Sequence, residues 1–272
     1  MTGIYMAIVI FYAAIPCSFA QQPGIKSFKL LDDNEPFKIN CLVKTNEGYI
    51  YAGTTNGLYS FDGIRFKKNN FLQAGMKDTV TAIFEDNNNL LWTGFKSGRI
   101  AKKIKGKLEY IEVEEGDSKV AITSFIQDKQ NNIWFATNGE GIYYFSNKHL
   151  YLINTENGLS DLHVRTLALT SNGDVLAATD QGINICRLVN GKATVNVIGP
   201  KNGLPDYYVT SIAAAGNNTY WIGMQEKGFC LYDHSSGKIT IPAAAQSWSY
   251  GQVNELLVSQ KNLWIATEEN GL

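Results

Sequence analysis

Four aromatic residues, Tyr207, Tyr208, Trp248 and Tyr250, fall outside the regular spacing that most aromatic residues of this chain follow. Because their positions are not explained by packing within regular elements, they could stack on the faces of sugar rings, as amphipathic aromatic side chains can. Local packing over their own loops is the alternative, since one sequence does not fix where a loop side chain points. These residues are the first candidates for a ligand-binding site.

Charged and polar residues in neighbouring turns extend this candidate set. Such residues bind ligands when a rigid scaffold brings their loops to one face. The polar candidates are His163, Arg99, Glu140, Asp180 and Glu226.

The same search finds no catalytic or metal-binding motif. His149, His163 and His234 lie far apart, and the sequence contains no His-Glu-x-x-His, Gly-x-Ser-x-Gly or phosphate-binding loop. Adjacent carboxylates such as Glu268 and Glu269 lie in polar turns, where solvation is the rule; a glycosidase pair would have to face one cleft. We therefore predict no catalytic residue, no metal and no cofactor in this chain, and hence no enzyme activity of its own.

Composition indicates a globular, neutral protein. The 272 residues are 44% hydrophobic with a net charge of −1, so a core can form and nothing favours binding to nucleic acid phosphates. Three cysteines, Cys41, Cys186 and Cys230, remain beyond the first 20 residues; their odd number and wide spacing favour small buried strand residues over disulfides or zinc ligands.

The first 20 residues resemble an export signal. Residues 4–19 are apolar, and Ser18 and Ala20 have the spacing that signal peptidase recognises. We predict cleavage after Ala20, giving a signal peptide over residues 1–20 and a mature chain over 21–272. No basic residue precedes the apolar run, so an uncleaved anchor is the alternative; no other stretch reaches the roughly 18 apolar residues of a membrane helix.

Elements that could hold these residues in place are supplied by an internal repeat. Six copies start at residues 39, 80, 122, 164, 209 and 253, with spacings of 41, 42, 42, 45 and 44. Each copy has an alternating apolar strand, a polar turn, a second strand with an aromatic position, and a turn containing glycine. A period of 40–45 residues with several short strands predicts an all-β fold, a β-propeller of four-stranded antiparallel blades.

The aromatic position lies eleven or twelve residues after each start and has a regular phase. It is occupied by Tyr51, Trp92, Trp134, Leu176, Trp221 and Trp264. This regularity predicts that these side chains fill the space between adjacent blades and do not bind ligand. In such a fold, the turn between the second and third strands shares a face with the connections between blades, which places the candidate residues together.

Several segments make the resemblance specific: GLYSFDGIRF from Gly57, NNIWFATNGEGIYYF from Asn131, and the connections TENGLSDLHV and KNGLPDYYV. Together, over residues 26–272, they resemble the two-component regulator propeller repeat of exported sensor regions in Bacteroidetes-type histidine kinases and hybrid two-component systems. Leu176, Phe95 and Met76 depart from the family pattern, where Trp, Thr and Leu are usual.

The resemblance implies a periplasmic ligand-sensing module of a sensor histidine kinase. It implies an unknown small ligand, with oligosaccharide as the class typical of the family. It also implies that the longer protein is a homodimer. The signal segment or a downstream helix would tether that protein to the inner membrane. About 5.6 copies lie between residues 39 and 272, so we expect a fragment of a propeller that has seven blades when complete. We also expect open sheet edges, and residues 21–38 to contribute a closing strand.

Two other functions stay open at this point. An exported propeller enzyme acting on polysaccharide, a lyase or glycosidase, would need a convergent acid, base or metal cluster. A propeller that only binds other proteins would need no small ligand.

Overall fold

The computed structural model describes residues 31–32, 35–36, 38–69, 78–111, 120–146, 149–260 and 262–271. The predicted signal segment therefore lies outside the described residues, as do Cys17, Met76 and most of residues 21–38. The described strands are β1 (Leu31–Asp32), β2 (Glu35–Pro36), β3 (Ile39–Lys44), β4 (Ile50–Thr54), β5 (Gly57–Phe61), β6 (Phe66–Lys68), β7 (Val80–Glu85), β8 (Leu91–Phe95), β9 (Ile100–Ile104), β10 (Lys107–Tyr110), β11 (Ile122–Gln127), β12 (Ile133–Thr137), β13 (Ile142–Ser146), β14 (His149–Ile153), β15 (Val164–Leu169), β16 (Val175–Thr179), β17 (Gly182–Val189), β18 (Lys192–Ile198), β19 (Val209–Gly216), β20 (Thr219–Met224), β21 (Phe229–Asp233), β22 (Ile239–Thr240), β23 (Val253–Ser259) and β24 (Asn262–Thr267).

Apart from the short β1–β2 hairpin, the strands form a series of antiparallel sheets with neighbours in chain order. Strands β3–β6, β7–β10, β11–β14, β15–β18 and β19–β22 make five four-stranded sheets, here called blades 1 to 5, and β23 pairs with β24 in blade 6. Short 3₁₀ helices, Thr155–Asn157, Pro200–Asn202 and Ala243–Ala245, lie in the connections into blades 4, 5 and 6. The chain is a β-propeller, as the repeat predicts.

Every blade has a β-bulge at the same place in its first strand. The register shifts between the first and third residues, for example between Ile122 and Ser124, and the same shift recurs in the other five sheets. A bulge turns the extra side chain away from the ladder. In three blades this side chain, Asn40, Thr123 or Thr210, donates a hydrogen bond to the first strand of the following blade.

Successive residues of each second strand pack against different neighbours, because side chains alternate across a strand. Trp134 of blade 3 packs toward blade 4, whereas Val175 of blade 4 packs back against blade 3. Leu176 continues the alternation by packing toward blade 5. The first four aromatic positions therefore fill the spaces between blades, as predicted, whereas Trp264 on the last described strand is exposed.

Small residues two positions after the aromatic residue let adjacent blades approach closely. A Cβ added to Gly94 would lie 2.6 Å from Ile122 Cβ in the next blade, and one added to Gly223 would lie 2.7 Å from Val253 Cγ1. Ala136 and Ala178 hold the equivalent places and are fully buried. The repeat thus specifies both a large and a small residue for each interface.

The turn motifs of the repeat have physical roles. Thr179 Oγ1 donates to the Gly182 carbonyl and accepts from the Gln181 N–H, closing the turn between second and third strands; Thr54, Thr137 and Thr267 repeat this arrangement. Such local bonds replace the ladder bonds that a turn removes.

Apolar side chains are exposed on both terminal sheets. Leu42 of blade 1 is 61% exposed, Leu257 of blade 6 is 62% exposed and Trp264 is 46% exposed. In the interior, Cys186 and Cys230 are buried free thiols and Cys41 is half-buried, which confirms the prediction of structural cysteines. Among the described residues, no helix has the length and apolar character needed to cross a membrane.

Candidate functional site

The turns between second and third strands and the connections between blades form one face of the propeller, here called the loop face. In five blades the turn bonds to the connection that enters its own blade; for example, Asn138 N–H donates to Ala121 O, Gln225 N–H to Tyr208 O and Glu268 N–H to Gln252 O. All the predicted site residues lie in these turns and connections.

In blade 4, a cluster of four side chains joins the connection to the turn. Arg165 donates from Nε and Nη2 to the two carboxylate oxygens of Asp180, at 2.9 and 3.2 Å. His163 Nδ1 lies 2.9 Å from Asp161 Oδ1, which also accepts the His163 N–H at 2.7 Å. The predicted residues His163 and Asp180 both belong to this cluster, together with Asp161 and Arg165.

Arg165 is a member of this cluster that the sequence analysis did not single out. It occupies the bulge position, where the other five blades have Asn40, Thr81, Thr123, Thr210 and Asn254. Alignment of the six copies on their first residues could have identified it, because blade 4 has a cation at the position where the other five copies have asparagine or threonine. The substitution turns a blade-to-blade contact into a charged group on the loop face.

One ligand atom from each of Asp161, His163 and Asp180 lies within 4.8 Å of the others, a spacing that metal ligands also have. Here, however, both oxygens of Asp180 bond to the Arg165 guanidinium, whose positive charge opposes a cation. The arrangement favours recognition of polar groups, with the exposed imidazole of His163 and the guanidinium of Arg165 available to a ligand.

In blade 5, Asp206 organises the turn that carries Glu226. Its carboxylate accepts the Glu226 N–H at 2.9 Å and the Tyr208 N–H at 3.3 Å. In blade 4, where the preceding Gly-Leu pair is also repeated, Asp161 makes the second of these bonds, to the His163 N–H. The Glu226 side chain and both tyrosines, Tyr207 and Tyr208, remain exposed.

Trp248 of the next connection lies on the other side of the same turn. Its ring is so close to Gly228 that an added Cβ would lie 2.6 Å from it, and it meets the rings of Phe229 and Tyr250 edge to face at 5.5 and 5.1 Å. Its Nε1 donates to Gly251 O at 2.7 Å. Trp248 thus packs over its own loop, as the alternative interpretation has it, whereas Tyr250 is half exposed.

Two predicted residues, Glu140 and Arg99, belong to other blades. Glu140 accepts a hydrogen bond from Tyr143 at 3.0 Å, and burial followed by the nearby carboxylate raises the pKa of Tyr143 to about 12. The Arg99 guanidinium lies 5.3 Å from the centre of the Tyr110 ring. Both residues contact neighbours of their own blade; Arg99 is exposed, whereas Glu140 is half-buried.

One segment of the repeat matches the model of a known protein family. A family model described as two component regulator propeller matches residues 116–139. This segment resembles a two-component regulator propeller repeat. The match covers the approach to blade 3, its first two strands and the start of the following turn, including the Asp128 turn and Trp134. No curated protein matches the chain in sequence.

Solved structures share the fold at low sequence identity. The extracellular domain of a hybrid two-component system from B. thetaiotaomicron matches with a TM-score of 0.74 and 18% identity, over 86% of this chain and 33% of that one. A second such domain from B. thetaiotaomicron matches with a TM-score of 0.65 and 17% identity, over 88% and 38%. The chain thus spans about a third of the length of these domains.

An enzyme is also among the structural neighbours. Virginiamycin B lyase from Staphylococcus aureus matches with a TM-score of 0.68 and 16% identity, over 89% of this chain and 80% of that one. At this identity the likeness concerns the propeller fold, and function has to be argued from the site.

Proposed function

We propose that this chain is a ligand-sensing propeller module of an exported two-component sensor. The observation that carries the proposal is the two-component regulator propeller repeat at residues 116–139. It is supported by structural neighbours that are extracellular domains of hybrid two-component systems. Location in the periplasm and a tether to the inner membrane are part of this proposal.

The loop face of blades 4 and 5 is where we propose that the ligand binds. Tyr207 and Tyr208 are exposed, and the bonds of Asp206 to the Tyr208 and Glu226 amides fix their backbone. Exposed rings on the same face as carboxylate, imidazole and guanidinium groups suit a ligand with hydroxyl groups and flat apolar faces, such as an oligosaccharide.

Signalling in this proposal requires two arrangements of the longer protein. A ligand shifts their populations only if it binds one of them more tightly. We propose that two copies associate through the longer protein and that the bound ligand biases their relative arrangement.

Calorimetric titration of the chain with a panel of oligosaccharides tests the binding step. We expect one member to bind and Tyr207→Ala with Tyr208→Ala to weaken its binding about tenfold, which corresponds to losing an aromatic contact. Tyr151→Ala is the matched control, because Tyr151 is 43% exposed on an outer strand, compared with 47% for Tyr207. Equal weakening by the control, or no binding by any oligosaccharide, would contradict the proposal.

A lyase or glycosidase is the other candidate that the fold allows. The cluster in blade 4 is the feature that would favour it, but its Asp180 is held by Arg165. We therefore assign no reaction to this chain.

A further inference from the structure

A second concave region lies away from the loop face, between blades 2 and 3. It is a groove of about 410 Å³ that extends to the turn between β11 and β12. Its polar lining includes Lys102, Gln130 and Asn131, and its apolar lining includes Ile111 and Phe145. A concave site with an apolar wall and a few convergent polar groups is the usual form of a small-molecule site.

Lys102 is the cation of this groove, and the structure holds it in one place. It lies on β9 directly opposite Trp92 on β8, with Nζ 4.1 Å from the centre of the indole ring. The equivalent residue of blade 3 is Tyr144, which stacks on Trp134 at 4.8 Å. Lys102 therefore lies where blade 3 has an aromatic ring stacked on the tryptophan, and it brings a positive charge to the blade interface.

In the described part of the chain, no carboxylate lies within ion-pair distance of Lys102. Asp86 is near enough to favour its charged form, but the Asp86 oxygens accept from Trp92 Nε1 and from the backbone of their own turn. Desolvation dominates, so the pKa of Lys102 is lowered. Glu109, opposite Lys102 on β10, makes no ion pair with it either. A half-buried ammonium with no ion-pair partner among the described residues is favourable for binding an anion.

Two amides beside Lys102 can add hydrogen bonds. Asn131 accepts at Oδ1 from Gln127, at 3.4 Å, which leaves its Nδ2 without an acceptor among the described residues. The Gln130 side-chain amide likewise has no hydrogen-bond partner there, since only its backbone N–H bonds to Asp128. These donors border the same groove as the ammonium.

We propose that the groove between blades 2 and 3 binds a small organic carboxylate. The carboxylate of the ligand contacts the Lys102 ammonium and the amides of Gln130 and Asn131. The apolar part of the ligand lies against Ile111 and Phe145. This site is separate from the loop face, so the chain has two ligand sites that can be tested independently.

Titration with phenylacetate, followed by calorimetry, tests the proposal, with phenylacetamide as a neutral probe of the same shape. We expect saturable binding of phenylacetate and binding of phenylacetamide weaker by about tenfold or more, since a charge-assisted bond is lost. Lys102→Met, which retains the apolar stem, should weaken phenylacetate to the level of the amide. Gln130→Ala, in an exposed turn, should weaken the binding of phenylacetate without affecting the core of the protein.

Lys103→Met is the matched control, because Lys103 is the next residue of the strand and packs over the Tyr51 ring toward blade 1. It should bind phenylacetate like the unaltered chain. Equal losses in the two lysine variants would show a general charge effect and overturn the proposal, as would equal binding of phenylacetate and phenylacetamide.

An acidic stretch, with Glu112, Glu114 and Glu115, follows Ile111 directly in the sequence. The titration is therefore repeated on a variant with Glu→Gln at these three positions. Binding by the unaltered chain supports the proposed site. Binding only by the triple variant would mean that the chain supplies the anion itself, and it would overturn the proposal.

Discussion

Asp128 is expected to stabilise blade 3 through a buried bond to the tryptophan that fills the blade interface. Its Oδ1 accepts the backbone N–H groups of Gln130 and Asn132 at 2.9 and 2.8 Å, and its Oδ2 accepts Trp134 Nε1 at 2.8 Å. Asp128 and Trp134 are 3% and 1% exposed, so water cannot replace the acceptor. Asp86 makes the same bonds around Trp92 in blade 2.

The cost of Asp128→Ala follows from these contacts. A buried indole N–H without an acceptor costs about 2 kcal/mol, and loss of the bonds to the turn adds about 1 kcal/mol because water can reach the turn. We therefore expect the free energy of unfolding to fall by about 3 kcal/mol. Urea denaturation, followed by tryptophan fluorescence and circular dichroism, measures the change.

A double-mutant cycle separates the two contributions. Trp134→Phe removes the indole N–H, so Asp128→Ala in that background should cost only about 1 kcal/mol, giving a coupling of about 2 kcal/mol. Blade 4 supplies an internal comparison, because Thr170 and Leu176 hold the equivalent places and form no such bond. If Asp128→Ala costs the same with and without Trp134, the assignment of the buried bond is refuted.

Three further predictions concern packing, pH and thiol chemistry. Gly94→Val should destabilise the fold by several kcal/mol, since even a Cβ there lies 2.6 Å from Ile122; an unchanged midpoint of urea denaturation would contradict the close approach of blades 2 and 3. The Arg187 guanidinium lowers the pKa of Asp174, with a smaller effect in the same direction from its other hydrogen bonds. The stability that Asp174 contributes is therefore complete above its ordinary pKa of about 4 and is lost as pH falls through the lowered value; Asp174→Asn should cost stability at pH 7, and a difference that does not shrink in acid would exclude this linkage. Burial raises the pKa of Cys230 to about 12, so its reaction with a disulfide reagent should require unfolding; rapid labelling of the native chain would show that the thiol is accessible.

Much of the propeller could be predicted from the sequence because its signals are local and repeated. The segment from residue 164 shows this: turns rich in Asn, Gly and Asp separate alternating strands, and β15 to β18 form where these turns place them. The phase of Trp92 and Trp134 likewise predicts their place between blades, since a side chain's face in a strand follows from its number.

The candidate site was less predictable because it depends on side-chain direction in irregular backbone. The bulge that turns Arg165 toward Asp180 arises from pairing register, which a single strand sequence does not specify. Trp248 and Tyr250 are both aromatic loop residues in sequence, yet Trp248 packs on Gly228 and Tyr250 is half exposed. Lys102 escaped notice because its importance depends on Trp92, a residue ten positions away on another strand.

The bonds between turns and connections have a consequence for the thermodynamics of recognition. The turn at residues 225–228 is bonded to Tyr208 on one side and packed against Trp248 on the other, and the turn at residues 138–141 bonds both to Ala121 and to Leu162. Loops restrained on two sides have little conformational entropy left to lose when a ligand arrives. Affinity at this face then depends on the match between ligand shape and a preformed surface. A ligand of a different shape cannot be accommodated by rearranging one loop, because that loop cannot move without displacing the loops bonded to it.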